Sequence, residues 1–525
     1  MQSDDILRSL SAKGVTPLEV AYPNGIELEI RVERKDFKAA CFFMHTQLHS
    51  PVMALFAVDC RTATGNFEVR CVFLAKENSR WCSIVIVVPA DDPRFDSLAK
   101  EIYSAALFER EIKEMFGITP DGNPDVRSLC LHEEVWPQGV FPLRKDFTQA
   151  PASALAPCEY RFTRVEGEGV FEVPVGPVHA GIIGPGHFRF SVAGEPIINL
   201  ELRLGFTHRG VEKLFEGKTL QEGLKLSECI AGDSVISHSW AFCRAVETIM
   251  GVTIEPDAFR VRAISLEMER IYNHLTGIAG IALDVGFSFP AQFAQLLKER
   301  MMLLNKELCG HRYLKGILVV GGGEDVFEQN RLKYMLEQLS YIKRDMQELR
   351  AMLYGSVSFM DRVDETGILR KKTVQDFGVI GLAARASGIA LDLRRQFPEG
   401  YTAAGFRLIK QEKGDVLSRL NVRIDEIDES LRLIECFAKN ITKAHNSKNS
   451  FRDIVQGHAL GAVEGSRGPA IYWVKVIEGK IDRCKIVDAS FHNWQGLSIA
   501  VLGNIVPDFP VCNKSFDLSY AGNDL

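Results

Sequence analysis

The chain has 525 residues, more than one ordinary core accommodates, so two or three domains are expected. Apolar residues make up 46% and charged residues 25%, the proportions of a globular protein, and a net charge of −6 removes the electrostatic case for nucleic acid. No apolar run reaches membrane-spanning length, and MQSDDILRSL lacks the basic start and apolar core of a secretory signal, so the chain is expected in the cytosol or docked on a membrane through partners.

In chain order, residues 1–100 alternate strand-like and helix-like stretches. Cys82-Ser-Ile-Val-Ile-Val-Val88 reads as a buried strand, because β-branched residues suit a pleated, packed surface. Residues 97–116 have helical spacing and run into a loop punctuated by Gly and Pro at 117–125. The stretch 147–160, rich in Pro and Ala, reads as a linker. The expected division is a domain at 1–150, a linker at 151–170 and a second domain at 171–525.

Beyond the linker, 160–205 reads as a small antiparallel sheet and 210–450 as mainly helical. Leu332, Met335, Leu336, Leu339, Ile342, Met346, Leu349 and Leu353 recur at helical spacing, which predicts a helix over 329–354. Val416, Leu420, Ile424, Ile427, Leu431, Ile434 and Phe437 predict another over 415–443. Both stripes are expected to be core packing. The segment 460–525 reads as short strands and loops. Gly321-Gly-Gly323 reads as a flexible turn, because it has neither the spacing nor the lysine of a phosphate cradle.

The twelve cysteines are scattered, and the nearest neighbours in sequence are eleven residues apart. That spacing excludes an iron–sulfur site within one short loop. Free thiols so placed are expected to be small core residues.

The segment FEREIKEMFGITPDGNPDVRSL at 108–129, followed by PLRKDF at 142–147, resembles the 30-kDa-type hydrophilic subunit of respiratory complex I. In that family the domain is structural and braces its catalytic neighbour. GPVHAG at 176–181, GHFRF at 186–190, RLGFTHRGVEKLFEGKTL at 203–220, MERIYNHLTGIAGIALDVG at 268–286 and EGSRGPA at 464–470 resemble the 49-kDa-type complex I subunit, and equally the large subunit of membrane-bound energy-converting nickel–iron hydrogenases. Fusion of both regions in one polypeptide looks most like the hydrogenlyase-type members. The fold implied is α+β: an N-terminal α/β sandwich-like domain, then a mainly α-helical bundle with small antiparallel β-sheets.

Hydrogenases of this superfamily carry R-x-C-G-x-C and D-P-C-x-x-C motifs. The corresponding stretches here are Cys229-Ile-Ala-Gly-Asp-Ser234 and Asp517-Leu-Ser-Tyr-Ala-Gly522. Thus Ala231, Ser234, Ser519 and Gly522 stand where the resemblance implies four thiolates. A soft metal centre needs those thiolates, and alanine and glycine offer no donor at all. A proton-shuttling glutamate is replaced by Gly184. No metal is therefore expected, and hydrogen turnover is not.

Complex I large subunits use the emptied cavity for a quinone head. The resemblance assigns the quinone-facing histidine to His187, with His179 as rival, and its orienting aspartate to Asp284. The tyrosine position holds Gly232, and Tyr520 is placed to fill that space from the other side. His238, one helical turn after Ser234, and Arg467 in EGSRGPA are expected at the cavity wall. His208 and Arg209 are expected near the small iron–sulfur subunit, with Arg209 either tuning its cluster or paired with Glu212. Asn273 and His274 are expected to stabilise helix packing.

The implied assembly is a membrane-bound complex held on the cytoplasmic face of the cell membrane. Its partners are a small iron–sulfur subunit like the 20-kDa subunit of complex I, a ferredoxin-like [4Fe–4S] subunit, an integral-membrane heel subunit and antiporter-like subunits. The chain itself is expected to bind no cofactor beyond a quinone or other acceptor. Two functions follow from the same residues: acceptor reduction in the cavity, or a non-catalytic scaffold that couples the cluster arm to the membrane arm.

Overall fold

A computed structural model describes residues 3–148, 160–179, 183–323, 327–442 and 456–525. The segment read as a linker lies largely outside the described residues. The N-terminal domain is built on a five-stranded sheet of β1 (Glu19–Ala21), β2 (Glu27–Arg31), β3 (Ala54–Cys60), β4 (Asn66–Ala75) and β5 (Arg80–Pro89), in the order β1-β2-β5-β4-β3. β2 and β5 run parallel and the other pairs antiparallel. The expected strand at 82–88 is the middle of β5. Its burial on both faces follows from packing by α1 (Phe37–Leu48) on one side and a large apolar core on the other.

The helix expected over 97–116 is shorter, α2 (Ala106–Phe116). The preceding residues make a short strand, Arg94–Asp96, and a single 3₁₀ turn, Tyr103–Ala105. The motif carried by α2 is structural. The Glu109 carboxylate accepts hydrogen bonds from Ser97 Oγ (2.5 Å), Leu98 N (2.6 Å) and Asn123 Nδ2 (2.8 Å). Arg110 donates to the carbonyls of Arg127 (2.9 Å) and Ser128 (2.7 Å). Glu114 accepts the backbone N–H of Leu129 and Cys130. Each side chain ties the helix to a stretch without regular hydrogen bonding of its own. Glu109→Ala leaves three buried donors without an acceptor and is expected to destabilise the chain by about 3 kcal/mol, read as a lower urea midpoint with an unchanged slope.

The second part begins with an antiparallel sheet of β6 (Val170–Val175), β7 (His187–Ala193) and β8 (Ile197–Arg203), as the sequence implies. Five long helices follow: α3 (Val235–Met250), α4 (Pro256–Asp284), α5 (Ser288–Cys309), α6 (Gln329–Tyr354) and α7 (Val416–Lys439). α6 matches its predicted span, α7 ends at Lys439, short of the predicted 443, and their apolar stripes are buried apart from the half-buried Leu336. α4 is buried on nearly every face, between α5 and α7. Gly321 and its neighbours form the tight turn of a two-strand hairpin.

The C-terminal segment departs from the expected strands and loops. An antiparallel sheet of β9 (Gly457–Glu464), β10 (Pro469–Ile477) and β11 (Lys480–Val487) is followed by three helices: α8 (Ala489–Ala500), α9 (Phe509–Phe516) and α10 (Tyr520–Asp524). α8 buries residues all around its surface, so it shows no apolar stripe to betray it.

The two parts share a buried polar seam. Lys485 on β11 pairs with Glu111 of α2 (2.5 Å), and His458 on β9 lies 2.6 Å from Glu29 of β2, which also pairs with Arg70. Glu27 accepts the backbone N–H of Leu460 (2.7 Å). Apolar side chains of both parts, among them Trp81, Phe397 and Trp473, lie in one continuous core.

Candidate functional site

The two stretches that correspond to the hydrogenase motifs come together. The first is held by α4. Tyr272 Oη and Asn273 Nδ2 each donate to the Asp233 carbonyl at 2.9 Å, so Asn273 works on the loop rather than on helix packing. Glu269 accepts Ile236 N (2.6 Å) and Ser237 N (3.1 Å), satisfying the free N–H groups at the start of α3 that Ser234 does not cap. In the second stretch Ser519 caps α10 by accepting Gly522 N at 2.9 Å, and its own N–H donates to Ser490 Oγ at 2.9 Å.

Arg467 joins the two. It lies in the turn between β9 and β10, and Leu382 N donates to its carbonyl (3.2 Å). A Cβ at Gly381 would come within 2.1 Å of that carbonyl oxygen, so the close approach requires glycine there. The guanidinium forks onto Asp233 (3.0 and 2.6 Å), donates to Ser234 Oγ (3.0 Å) and donates to the Asp517 carbonyl on the opposite loop. Burial pushes the Asp233 carboxyl up, but the facing guanidinium outweighs it and holds the group below the usual carboxylate range. Arg209 is a second tie. It donates to the carbonyls of Cys229 (2.9 Å) and Ile230 (2.8 Å) on one side and Ala521 (3.1 Å) on the other.

The alternative pairing of Arg209 with Glu212 is not formed. Glu212 is engaged by Arg483 (2.7 Å) and Lys485 (3.1 Å) from β11. His208 Nδ1 lies 2.6 Å from the Asp524 carbonyl, and the Asp524 carboxylate accepts Gly205 N, Thr207 N and Thr207 Oγ at 2.9, 2.9 and 2.7 Å. His208 and Arg209 therefore anchor α10.

His238 is fully buried behind Ser234. Its Nδ1 lies 3.0 Å from Tyr472 Oη and its Nε2 3.1 Å from Asp488 Oδ2. Burial would raise the Asp488 carboxyl, but the bonds from His238 and Ser490 and the charge of Arg467 hold it at about 2. Sequence reasoning missed Asp488. Its signal is the position between β11 and α8, where it caps the helix by accepting Ser490 N at 2.7 Å. A Cβ at Gly522 would come 2.8 Å from the Asp488 carboxyl carbon. Ala231 is buried, whereas a Cβ on Gly232 would meet no heavy atom within 4 Å. The position assigned to a quinone-binding tyrosine thus has open space beside it.

Tyr520 does not fill the space beside Gly232; its ring packs on Gly184 and Gly186 instead. A Cβ at Gly184 would lie 2.8 Å from its ring and one at Gly186 2.7 Å. The ring packs at a tilt against Trp494, with centroids 4.9 Å apart, and the hydroxyl lies beside Asn513. Tyr520 occupies the volume a side chain at position 184 would need.

The expected His187–Asp284 contact is not formed. His187 starts β7. Its ring packs on Phe162 at 5.0 Å, its Nδ1 lies 3.4 Å from the Gly176 carbonyl, and its buried Nε2 has no partner among the described residues. Burial lowers its pKa. Asp284 ends α4, where the nearby cation is Lys514, and its Oδ2 is likewise unpartnered. Burial raises that carboxyl. The rival, His179, bonds the Gly186 carbonyl at 2.8 Å and packs on Phe188. A cavity of about 670 Å³ lies away from all of these groups, lined by Trp81, Trp240, Arg244 and Phe397.

Comparison with known proteins matches two stretches of the chain. Residues 284–455 match the family described as "Respiratory-chain NADH dehydrogenase, 49 Kd subunit", and residues 30–153 match "Respiratory-chain NADH dehydrogenase, 30 Kd subunit". The chain is 30% identical to formate hydrogenlyase subunit 5 of Escherichia coli (strain K12) over 515 residues, covering 97% of this chain and 90% of the relative. It is 31% identical to hydrogenase-4 component G of the same organism, covering 92% and 85%. A subunit of the membrane-bound sulfane sulfur reductase, an archaeal respiratory membrane complex, superposes with a TM-score of 0.64 at 25% identity, over 68% of this chain and 99% of that one. The chain belongs to the family of fused 30-kDa and 49-kDa complex I-type subunits that includes formate hydrogenlyase subunit 5 and hydrogenase-4 component G.

Proposed function

We propose that the chain is the large hydrophilic subunit of a complex I-like, membrane-bound energy-converting oxidoreductase, and that its former metal pocket receives an organic acceptor, a quinone headgroup. Nickel and iron do not fit the residues present. Ala231 and Gly522 bring no donor atom, the Ser234 hydroxyl accepts from Arg467, and the Ser519 hydroxyl accepts from Gly522.

The supporting observation is an unsatisfied imidazole nitrogen on a segment that touches Tyr520. His187 Nε2 is buried without a partner among the described residues, and Gly186, the neighbour of His187, packs on the ring of Tyr520, whose hydroxyl lies beside Asn513. Buried polar atoms are paired in most proteins, so an orphaned imidazole nitrogen points to a polar ligand. An imidazole N–H and a phenol O–H both suit the carbonyl oxygens of a quinone. Reduction to the quinol takes two electrons and two protons. The electrons would come from a [4Fe–4S] cluster on a small partner subunit beside Arg209, and the protons from water by way of His187. Among the described residues no helix is long and apolar enough to cross a membrane. Attachment to the cytoplasmic face and coupling to ion translocation would therefore lie with heel and antiporter-like partners, and a ferredoxin-like subunit would feed the cluster.

A second reading, a coupling scaffold without turnover, is favoured by one feature. Arg467 and the Tyr520 ring fill much of the space between the loops. His187→Ala and Tyr520→Phe in the purified native complex separate the two. Each is expected to reduce electron transfer to a soluble quinone at least about tenfold, the scale of one positioned proton-transfer group. If both variants transfer electrons at the wild-type rate, the scaffold reading stands.

A further inference from the structure

Behind the Arg467 turn lies a cluster of ionised groups that neither reading uses. Glu426 of α7 meets Arg385 at 2.8 Å, Arg270 of α4 at 3.7 Å and His274 Nε2 at 2.8 Å. Arg394 pairs with Asp392 (2.7 Å) and Glu267 (3.1 Å), and Glu267 also takes Arg270 at 3.0 Å. Arg385 reaches on to Glu464, the last residue of β9, at 2.6 Å. All of these side chains are buried.

The charges do not balance. Glu267, Asp392, Glu426 and Glu464 supply four negative charges; Arg270, Arg385 and Arg394 supply three positive ones. An uncompensated charge in a dry interior is strongly unfavourable, so such a cluster takes up a proton. His274 is a poor seat for it. Its Nδ1 faces the Arg423 guanidinium at 3.3 Å, whose charge is shared with Asp517 at 3.9 Å, and burial with that neighbour brings the imidazole down to about 4. Glu267 accepts from Arg270, Arg394, Tyr401 and Ser430, and Asp392 takes the Arg394 fork. Glu426 has Arg385, Arg270 and His274. Glu464 has the fewest donors: one Arg385 nitrogen and the N–H of Leu393 at 3.1 Å. Asp392 adds a like charge beside it.

We propose that Glu464 is a proton-loading site, a buried carboxyl that holds the one exchangeable proton of this cluster and releases it to water or regains it as the charge around the Arg467 turn changes. Burial, reinforced by the Asp392 charge, moves its pKa to about 7, where both forms are populated at physiological pH. The link to the pocket is covalent and short. Glu464 and Arg467 share one turn, and Arg270 clamps that turn by donating to the carbonyls of Glu464 (2.6 Å) and Gly465 (2.8 Å). A negative charge appearing near Arg467 raises the proton affinity of Glu464; its departure lowers it. The site stands on the charge inventory whether or not a quinone is the acceptor.

Infrared titration of the full chain tests it. The wild-type spectrum minus that of Glu464→Gln is expected to contain one carbonyl band of a protonated, buried carboxyl that fades as the pH rises through about 7. Asp392→Asn removes the neighbouring negative charge while keeping an oxygen that can cap the short helix Leu393–Gln396 as Asp392 does, and is expected to move that fading to lower pH. A difference spectrum without such a band, or with a band that persists into alkaline solution, overturns the proposal. Should Glu464→Gln fail to fold, Asp392→Asn decides alone: no carboxyl band moving to lower pH overturns it.

Discussion

Arg467→Ala is expected to destabilise the chain by about 3–5 kcal/mol, the range for removing one partner of a buried ion pair. The loss has three parts. Asp233 keeps its charge in a buried setting without the fork that compensates it, the Ser234 hydroxyl loses a donor, and the Asp517 carbonyl loses its link across the pocket. The pH dependence identifies the cause. Arg467 depresses the Asp233 pKa, so the pair contributes stability above the unfolded carboxylate value, and that contribution fades as pH falls through the depressed folded value. The deficit of the variant is therefore largest near neutral pH and shrinks on acidification. Urea midpoints of both proteins from neutrality down to below the ordinary carboxylate pKa of about 4 measure this; a deficit independent of pH across that range would mean that packing, not charge, was lost.

Arg385→Ala is expected to be at least as damaging, about 4–5 kcal/mol, because one guanidinium serves Glu426, Glu464 and Asp392 together. Its removal leaves four carboxylates facing two guanidiniums. Those carboxyls then bind protons more tightly in the folded chain than in the unfolded one. The stability so gained is present below the unfolded carboxylate pKa and is lost as pH rises through the elevated folded values. The variant should fold best in mild acid and lose stability steeply toward pH 7, which thermal melts across that range would record. An equal melting deficit at every pH would count against the charge argument.

Much of this was legible in the residues. The stripes of α6 and α7 gave their spans because one face of each is wet, and amphipathicity is visible only when a helix has two different sides. α8 was missed for the opposite reason: it is buried all around. The placement of Arg467 and of the loops at 231–234 and 519–522 came from resemblance, and in the structure Arg467 bridges Asp233 and Asp517. The partner of His187 did not come through. A pairing between a strand start and a helix end depends on where two long elements terminate relative to each other, and no local pattern encodes that. Asp488 was invisible as a partner of His238, since the two are 250 residues apart and Asp488 looks like an ordinary helix cap.

The seam between the two halves has its own consequence. Glu27, Glu29 and Glu111 on one side find their partners in Leu460, His458 and Lys485 on the other, away from water. Alone, the first half would keep Arg70 on Glu29 but leave Glu111 without its lysine, and each half would carry an uncovered apolar face until it met its complement. Severing the polypeptide between residues 148 and 160 should therefore yield two pieces that copurify as one. What the peptide bond adds is proximity: it makes the encounter intramolecular and fixes the ratio at one to one.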